Sequence, residues 1–129
     1  MVVRVVGSLI LLWNGRETPL DEEWSDMLAT FRAQPAGEPI KMLVSTEGGA
    51  PSPAQQARMA PLMAGRMGRF AVLTDSVSHR FVASAMALFL RNIRTFAPGD
   101  LASAFAFLEL NEEQRRAAVA FFRAQEAAP

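Results

Sequence analysis

Short apolar runs alternate along this chain with residues that begin helices, and this alternation limits the fold to a small set. The runs are rich in Val, Leu, Ile and Phe and have the length of strands: 2–6, 9–13, 40–45, 70–74 and 93–96. Because the last four alternate with helical patterns, we expect them to be parallel and joined by right-handed crossovers. The predicted order, ββαβαβαβαα, gives an α/β fold with a single mixed, mostly parallel sheet of about five strands and helices on its faces.

The first two runs predict an N-terminal β-hairpin. Only Gly7 and Ser8 separate them, and Gly followed by Ser suits a two-residue turn with a positive φ at its first position. The first strand should therefore pair antiparallel with the second.

The first helix has a clear start in the sequence. Thr18 is a candidate N-cap, Pro19 fits the first helical position, and apolar residues then recur every three or four positions until about Gln34.

A second helix is predicted after the strand 40–45. Ser52 is its candidate N-cap, Pro53 fits the first position, and Gln55 completes a capping box. We expect Pro61 to kink or end this helix. Further helices are predicted at about 77–90, from about 101, and at about 112–127.

Length and charge exclude several classes of protein. The 129 residues suit one domain, with a core at about 1–110 and an extra C-terminal helix at about 112–127. Thirteen basic and thirteen acidic residues argue against nucleic acid as a partner. With no Cys and a single His, His79, we expect no disulfide, no metal site and no cofactor. Since no apolar run could span a bilayer, we expect no membrane insertion and a cytoplasmic location.

Several segments resemble the STAS-like fold of anti-sigma-factor antagonists and sulphate-transporter C-terminal domains, and more specifically the SpoIIAA-like group of small bacterial proteins. They are VVRVVGSLILLWNG, TPLDEEWSDMLATF, MLVSTEGG, FAVLTDS and IRTFAPGDLASAFAFLEL, and they extend to about residue 110. The resemblance implies the fold predicted above and a regulatory role through contacts with proteins. It also implies two possible ligand classes, nucleotides and lipids.

The resemblance draws attention to Ser52. In phosphorylatable STAS domains an Asp-Ser pair begins the helix after the third strand, and a partner kinase phosphorylates that Ser. Ser52 stands at the matching helix start, but Pro51 replaces the Asp and Pro53 follows. A phosphate would be favoured at a helix N-terminus, whereas an N-cap role needs only the hydroxyl. The departure from the pattern argues against phosphorylation.

Polar residues follow two of the predicted parallel strands, at the edge where open α/β sheets bind ligands. The candidates for a ligand or phosphoacceptor site in the loops 46–52 and 75–79 are Thr46, Glu47, Ser52, Asp75, Ser76 and His79. Asp75, Ser76 and His79 superficially suggest acid–base chemistry. The chain has neither a Gly-x-Ser-x-Gly elbow nor a second His, so we predict no catalytic residues.

Aromatic residues late in the chain are candidates for an interface. Phe121 and Phe122 are adjacent, so they cannot both face one partner, and Phe105 lies on the preceding helix. Either these rings form a dimer or partner surface, or they wrap the edge of the sheet. The leading hypothesis is a non-enzymatic regulatory or scaffolding module that binds a protein partner and self-associates. The alternative is a small-ligand (nucleotide or lipid) binding module.

Overall fold

The strands lie side by side in the order of the sequence, β1-β2-β3-β4-β5. A computed structural model describes residues 1–35, 37–63, 68–75 and 92–127. This part of the chain contains β1 (Val2–Val6), β2 (Leu9–Asn14), α1 (Asp21–Arg32), β3 (Ile40–Thr46), α2 (Pro53–Met63), β4 (Gly68–Leu73), β5 (Ile93–Phe96), α3 (Leu101–Leu108) and α4 (Glu112–Ala127). The helix predicted at 77–90 lies outside the described residues.

The pairing of the strands confirms the predicted mixed sheet. β1 is antiparallel to β2, and each of the pairs β2–β3, β3–β4 and β4–β5 is parallel. Gly7 adopts a φ of +60° in the turn between β1 and β2, as the hairpin requires. The fold is therefore α/β, with the hairpin at one end of the sheet.

Alternate residues of the central strands enter two separate hydrophobic layers. Leu11 and Leu43 pair in register and pack under α3 and α4. Their neighbours Ile10 and Met42 point to the other face, under α1 and α2. Because the period of a strand is two, strands covered on both faces must be apolar throughout.

The start of α1 differs from the sequence prediction. The expected N-cap at Thr18 is wrong, because α1 begins at Asp21 after Leu20. The backbone N–H of Leu20 donates to the Glu23 carboxylate at 2.9 Å, so the carboxylate three residues into the helix fixes its start. Pro61, which we expected to kink or end α2, lies inside the helix, and α2 continues for two residues to Met63.

Candidate functional site at the carboxyl edge of the sheet

The carboxyl ends of β2 and β3 meet at one edge of the sheet, with Asn14 beside Thr46 in register. Glu47 and Ser52 follow Thr46 in the loop to α2, and Asp75 follows β4 at the same edge. Ser76 and His79 lie outside the described residues. Four of the six predicted site residues therefore lie at this edge.

Thr46 is buried, and its hydroxyl is already engaged inside the loop. Its Oγ1 donates to the carbonyl of Gly49 at 2.8 Å and accepts the Gly48 N–H at 3.3 Å. The hydroxyl therefore holds the loop closed and is occupied as both donor and acceptor. Glu47 is exposed, and its backbone N–H donates to the carbonyl of Asn14 at 3.1 Å.

Gly49 presses against the loop between β2 and α1. Its N–H donates to the carbonyl of Gly15 at 2.8 Å. A Cβ on Gly49 would lie 2.7 Å from the carbonyl carbon of Glu17 and 2.8 Å from Nδ2 of Asn14. A glycine is required here by this close approach of two backbones, which closes the space between the loops.

Ser52 caps α2, as its sequence context predicted. Its Oγ accepts the Gln55 N–H at 3.1 Å, and its own N–H donates to Gln55 Oε1 at 3.0 Å. This reciprocal pair satisfies two donors at the start of the helix. Ser52 itself is only half-buried.

Gln55 joins the starts of α1 and α2, a role that the sequence analysis missed. Its Nε2 donates to the carbonyl of Pro19 at 2.8 Å and to Asp21 Oδ1 at 3.0 Å. Its backbone carbonyl accepts the indole N–H of Trp24 at 2.8 Å. The capping box drew attention to Gln55, but nothing in the spacing shows that its amide would be buried against a distant loop.

Asp75 stands apart from this network. It is exposed, and within the described residues no hydrogen bond or ion pair joins it to Thr46, Glu47 or Ser52. Thr74, just before it, is fully buried, and its N–H donates to the carbonyl of Phe96 at 3.0 Å. Asp75 therefore takes no part in the hydrogen bonds described for the loop after β3.

Glu23 is the one group whose protonation the described structure clearly perturbs. The Met1 ammonium donates to its Oε2 at 2.7 Å, and the Leu20 N–H donates to Oε1. Both bonds favour the carboxylate and hold the pKa of Glu23 below its ordinary value, with the ammonium as the main cause. The pair fastens the start of β1 to the start of α1.

The late aromatic residues face the chain's own sheet. Phe105, Phe121 and Phe122 are all buried in the layer under α3 and α4. The rings of Phe121 and Phe122 meet edge to face, 5.3 Å apart, so adjacent residues serve one core. Of the two arrangements left open by the sequence, packing against the sheet is the one observed, and a partner could reach these rings only if this layer opened.

The described residues contain no group of three or more His, Asp or Glu side chains that could hold a metal ion. None of the helices described combines the length and the apolar character needed to cross a membrane.

A family model described as SpoIIAA-like matches residues 11–109, from β2 to the residue after α3. No curated protein and no solved structure matches the chain. The matched range includes the whole loop after β3, while β1 and α4 lie outside it.

Proposed function

The chain belongs to the SpoIIAA-like family, and on that premise we propose that it is a non-enzymatic regulatory module that acts by self-association through β1. The family is of the STAS type, whose members are regulatory domains that interact with proteins. The partner in this proposal is a second copy of the chain, which would add its own β1 to the exposed β1.

A contrast between two edges of the molecule supports this proposal. At the carboxyl edge, the side chains of Asn14, Thr46, Ser52 and Gln55 all take part in hydrogen bonds within the chain. The outer edge of β1 is open instead, because no described strand pairs with it. An unpaired strand edge presents N–H and C=O groups to another strand.

The side chains of β1 also favour an added strand. Val2 is 39% exposed and Val5 is 43% exposed. Val6 packs into one hydrophobic layer and Val3 into the other, so Val2 and Val5 lie on opposite faces of the sheet. A strand laid along β1 would cover apolar surface on both faces. Of the features that commonly protect exposed edges, this strand has no Pro and a single charge, that of the exposed Arg4.

Symmetry limits how two copies of β1 can pair. A two-fold axis perpendicular to the sheet makes the strands antiparallel and places residues of the same face opposite each other. A pairing centred on Arg4 would oppose two guanidinium groups, which is unfavourable. A pairing centred on Val3 instead places Arg4 opposite Val2 of the second copy. We therefore expect the pairing centred on Val3.

Light scattering on the purified chain tests this proposal with two matched variants. Val5→Lys puts a charge on the edge strand, whereas Leu20→Lys puts the same charge at an exposed apolar residue just before α1. We expect a dimer for the wild type and for Leu20→Lys, and a folded monomer for Val5→Lys. A monomeric wild type, or a dimeric Val5→Lys, would overturn the proposal.

A further inference from the structure

A basic–aromatic cluster lies at the amino edge of the sheet, opposite the loops described above. It consists of Lys41, Arg69, Arg94 and Phe107, and we call it the basic–aromatic patch. Lys41 and Arg69 pair in register near the starts of β3 and β4, and Arg94 lies near the start of β5. Strand alternation places all three cations on the face covered by α3.

Two of these cations have partners at the C-terminal end of α3. Lys41 Nζ donates to the carbonyl of Glu109 at 2.8 Å, and Arg69 Nη1 donates to the carbonyl of Phe107 at 2.7 Å. Cations are favoured at this end of a helix because its free carbonyls carry partial negative charge. The helix end thus explains the positions of Lys41 and Arg69.

Arg94 is different, because its contact is with a ring. Its guanidinium carbon lies 4.9 Å from the centroid of Phe107, while that of Arg69 lies 5.8 Å from the same centroid. Arg94 is exposed, and in the described part of the chain it has no hydrogen bond and no carboxylate partner. A stacked guanidinium is held in one orientation with its N–H groups free to bind an anion.

We propose that the basic–aromatic patch binds an acidic segment of a protein partner, with a carboxylate paired to Arg94. This inference rests on the proposed function only in taking protein contact as the mode of action. A carboxylate can accept two parallel N–H bonds from one guanidinium, and stacking on Phe107 leaves that edge of Arg94 available. The negative charge would also relieve the repulsion between Arg94 and Arg69 beside one ring.

The composition of the patch favours an acidic peptide over a nucleic acid. Glu109 lies 3.6 Å from Arg69, with 72% of its side chain exposed, so a carboxylate already stands within the patch. Nucleic-acid binding relies on many phosphate contacts and a basic surface. The chain has no net charge. A few cations around one ring suit one or two carboxylates instead.

Fluorescence anisotropy with a fluorescein-labelled hexaglutamate peptide tests the inference on the full chain. We expect Arg94→Glu to weaken binding at least about tenfold, the equivalent of ~1.4 kcal/mol. Arg32→Glu, an exposed charge reversal at the end of α1, should leave binding within about twofold, well under ~1 kcal/mol. Phe107→Leu, which removes the ring from beneath Arg94, should weaken binding less than Arg94→Glu. Equal affinity for wild type and Arg94→Glu, or no binding to wild type, would overturn the inference.

Two further measurements separate a failure of the proposed peptide site from a failure of the proposed β1 contact. A labelled oligothymidine of the same length should bind more weakly than the peptide, and tighter binding would overturn the choice of partner. Light scattering of Arg94→Glu should give the wild-type mass, because Arg94 lies on the strand at the opposite end of the sheet from β1. If Arg94→Glu loses peptide binding and keeps the wild-type mass, the proposed peptide site is supported. A changed mass would contradict the expectation that the basic–aromatic patch and the β1 contact act independently.

Discussion

The α-carbon of Gly49 lies so close to the carbonyl of Glu17 that a side chain on Gly49 would overlap it. This contact holds the loop after β3 against the loop after β2, together with the bond from Gly49 N–H to the Gly15 carbonyl. The predicted ligand loop is therefore part of the packed structure, and its glycine serves a backbone contact.

Gly49→Ala should destabilise the chain, because the nearest obstructing atoms, the carbonyl oxygen and carbon of Glu17, belong to the backbone and cannot turn aside. We expect a loss of about 1–3 kcal/mol in the free energy of unfolding, measured with urea. Gly15→Ala is the matched control, since its Cβ would meet the Trp13 ring at an ordinary 3.5 Å. Equal stabilities for the two variants would contradict the close approach.

Gln55→Ala should separate the starts of α1 and α2. The substitution leaves the Ser52 N–H and the Pro19 carbonyl without their present partner. The expected loss is about 2 kcal/mol or more in chemical unfolding. Gln56→Ala provides the comparison, because its side chain makes one hydrogen bond, to the Pro51 carbonyl, and should cost less than about 1 kcal/mol. The hypothesis fails if Gln56→Ala proves the more damaging.

Glu23 should make the stability of the chain depend on pH in the acidic range. Its pKa in the folded chain is lowered from 4.5 by the Met1 ammonium and the Leu20 N–H. Its contribution is therefore fully present above 4.5 and is lost as the pH falls through the folded pKa. We expect the wild type to exceed Glu23→Gln in stability at neutral pH, and the difference to shrink on acidification. A difference that grows toward low pH would reverse the sign and contradict the assignment.

Glu109 ends α3 in a left-handed conformation, with a φ of +53°. This region disfavours a side chain by about 1 kcal/mol relative to glycine. Comparing Glu109→Gly with Glu109→Ala isolates that effect, because both variants lose the carboxylate near Arg69. We expect the glycine variant to be the more stable by about 1 kcal/mol in thermal or urea unfolding. An alanine variant of equal or greater stability would show that the backbone there is unstrained.

Local signals in the sequence predicted the elements that depend on local chemistry. The hairpin follows from Gly7, and the capping box of α2 follows from Ser52 and Gln55. The start of α1 was predicted two residues early, because the Glu23 carboxylate binds the backbone N–H of Leu20 and makes Leu20, not Thr18, the N-cap. The Pro19 carbonyl binds Gln55, which no local pattern shows.

Long-range packing determines the contacts that the sequence could not predict. The apolar spacing of α3 and α4 was visible, but the choice between a partner and the chain's own sheet depends on where those helices dock. The structure places Phe105, Phe121 and Phe122 in the chain's own core. In the same way, the contact of Arg94 with Phe107 joins two elements whose neighbourhood only the fold creates.

The central claim, that two copies pair along β1, is tested most directly by thiol cross-linking of single-Cys variants with a bismaleimide, because the chain has no natural Cys. In the pairing centred on Val3, that residue lies opposite its own copy, with Cβ atoms about 4.5–5.5 Å apart. That separation exceeds the roughly 3.5–4.5 Å of a disulfide, but a flexible bismaleimide can bridge it. Val3→Cys should therefore form a covalent dimer with a bismaleimide, while Leu20→Cys, at a more exposed residue, should remain largely monomeric. Cross-linking of Leu20→Cys at the same rate, or a Val3→Cys protein that stays monomeric, would contradict the account.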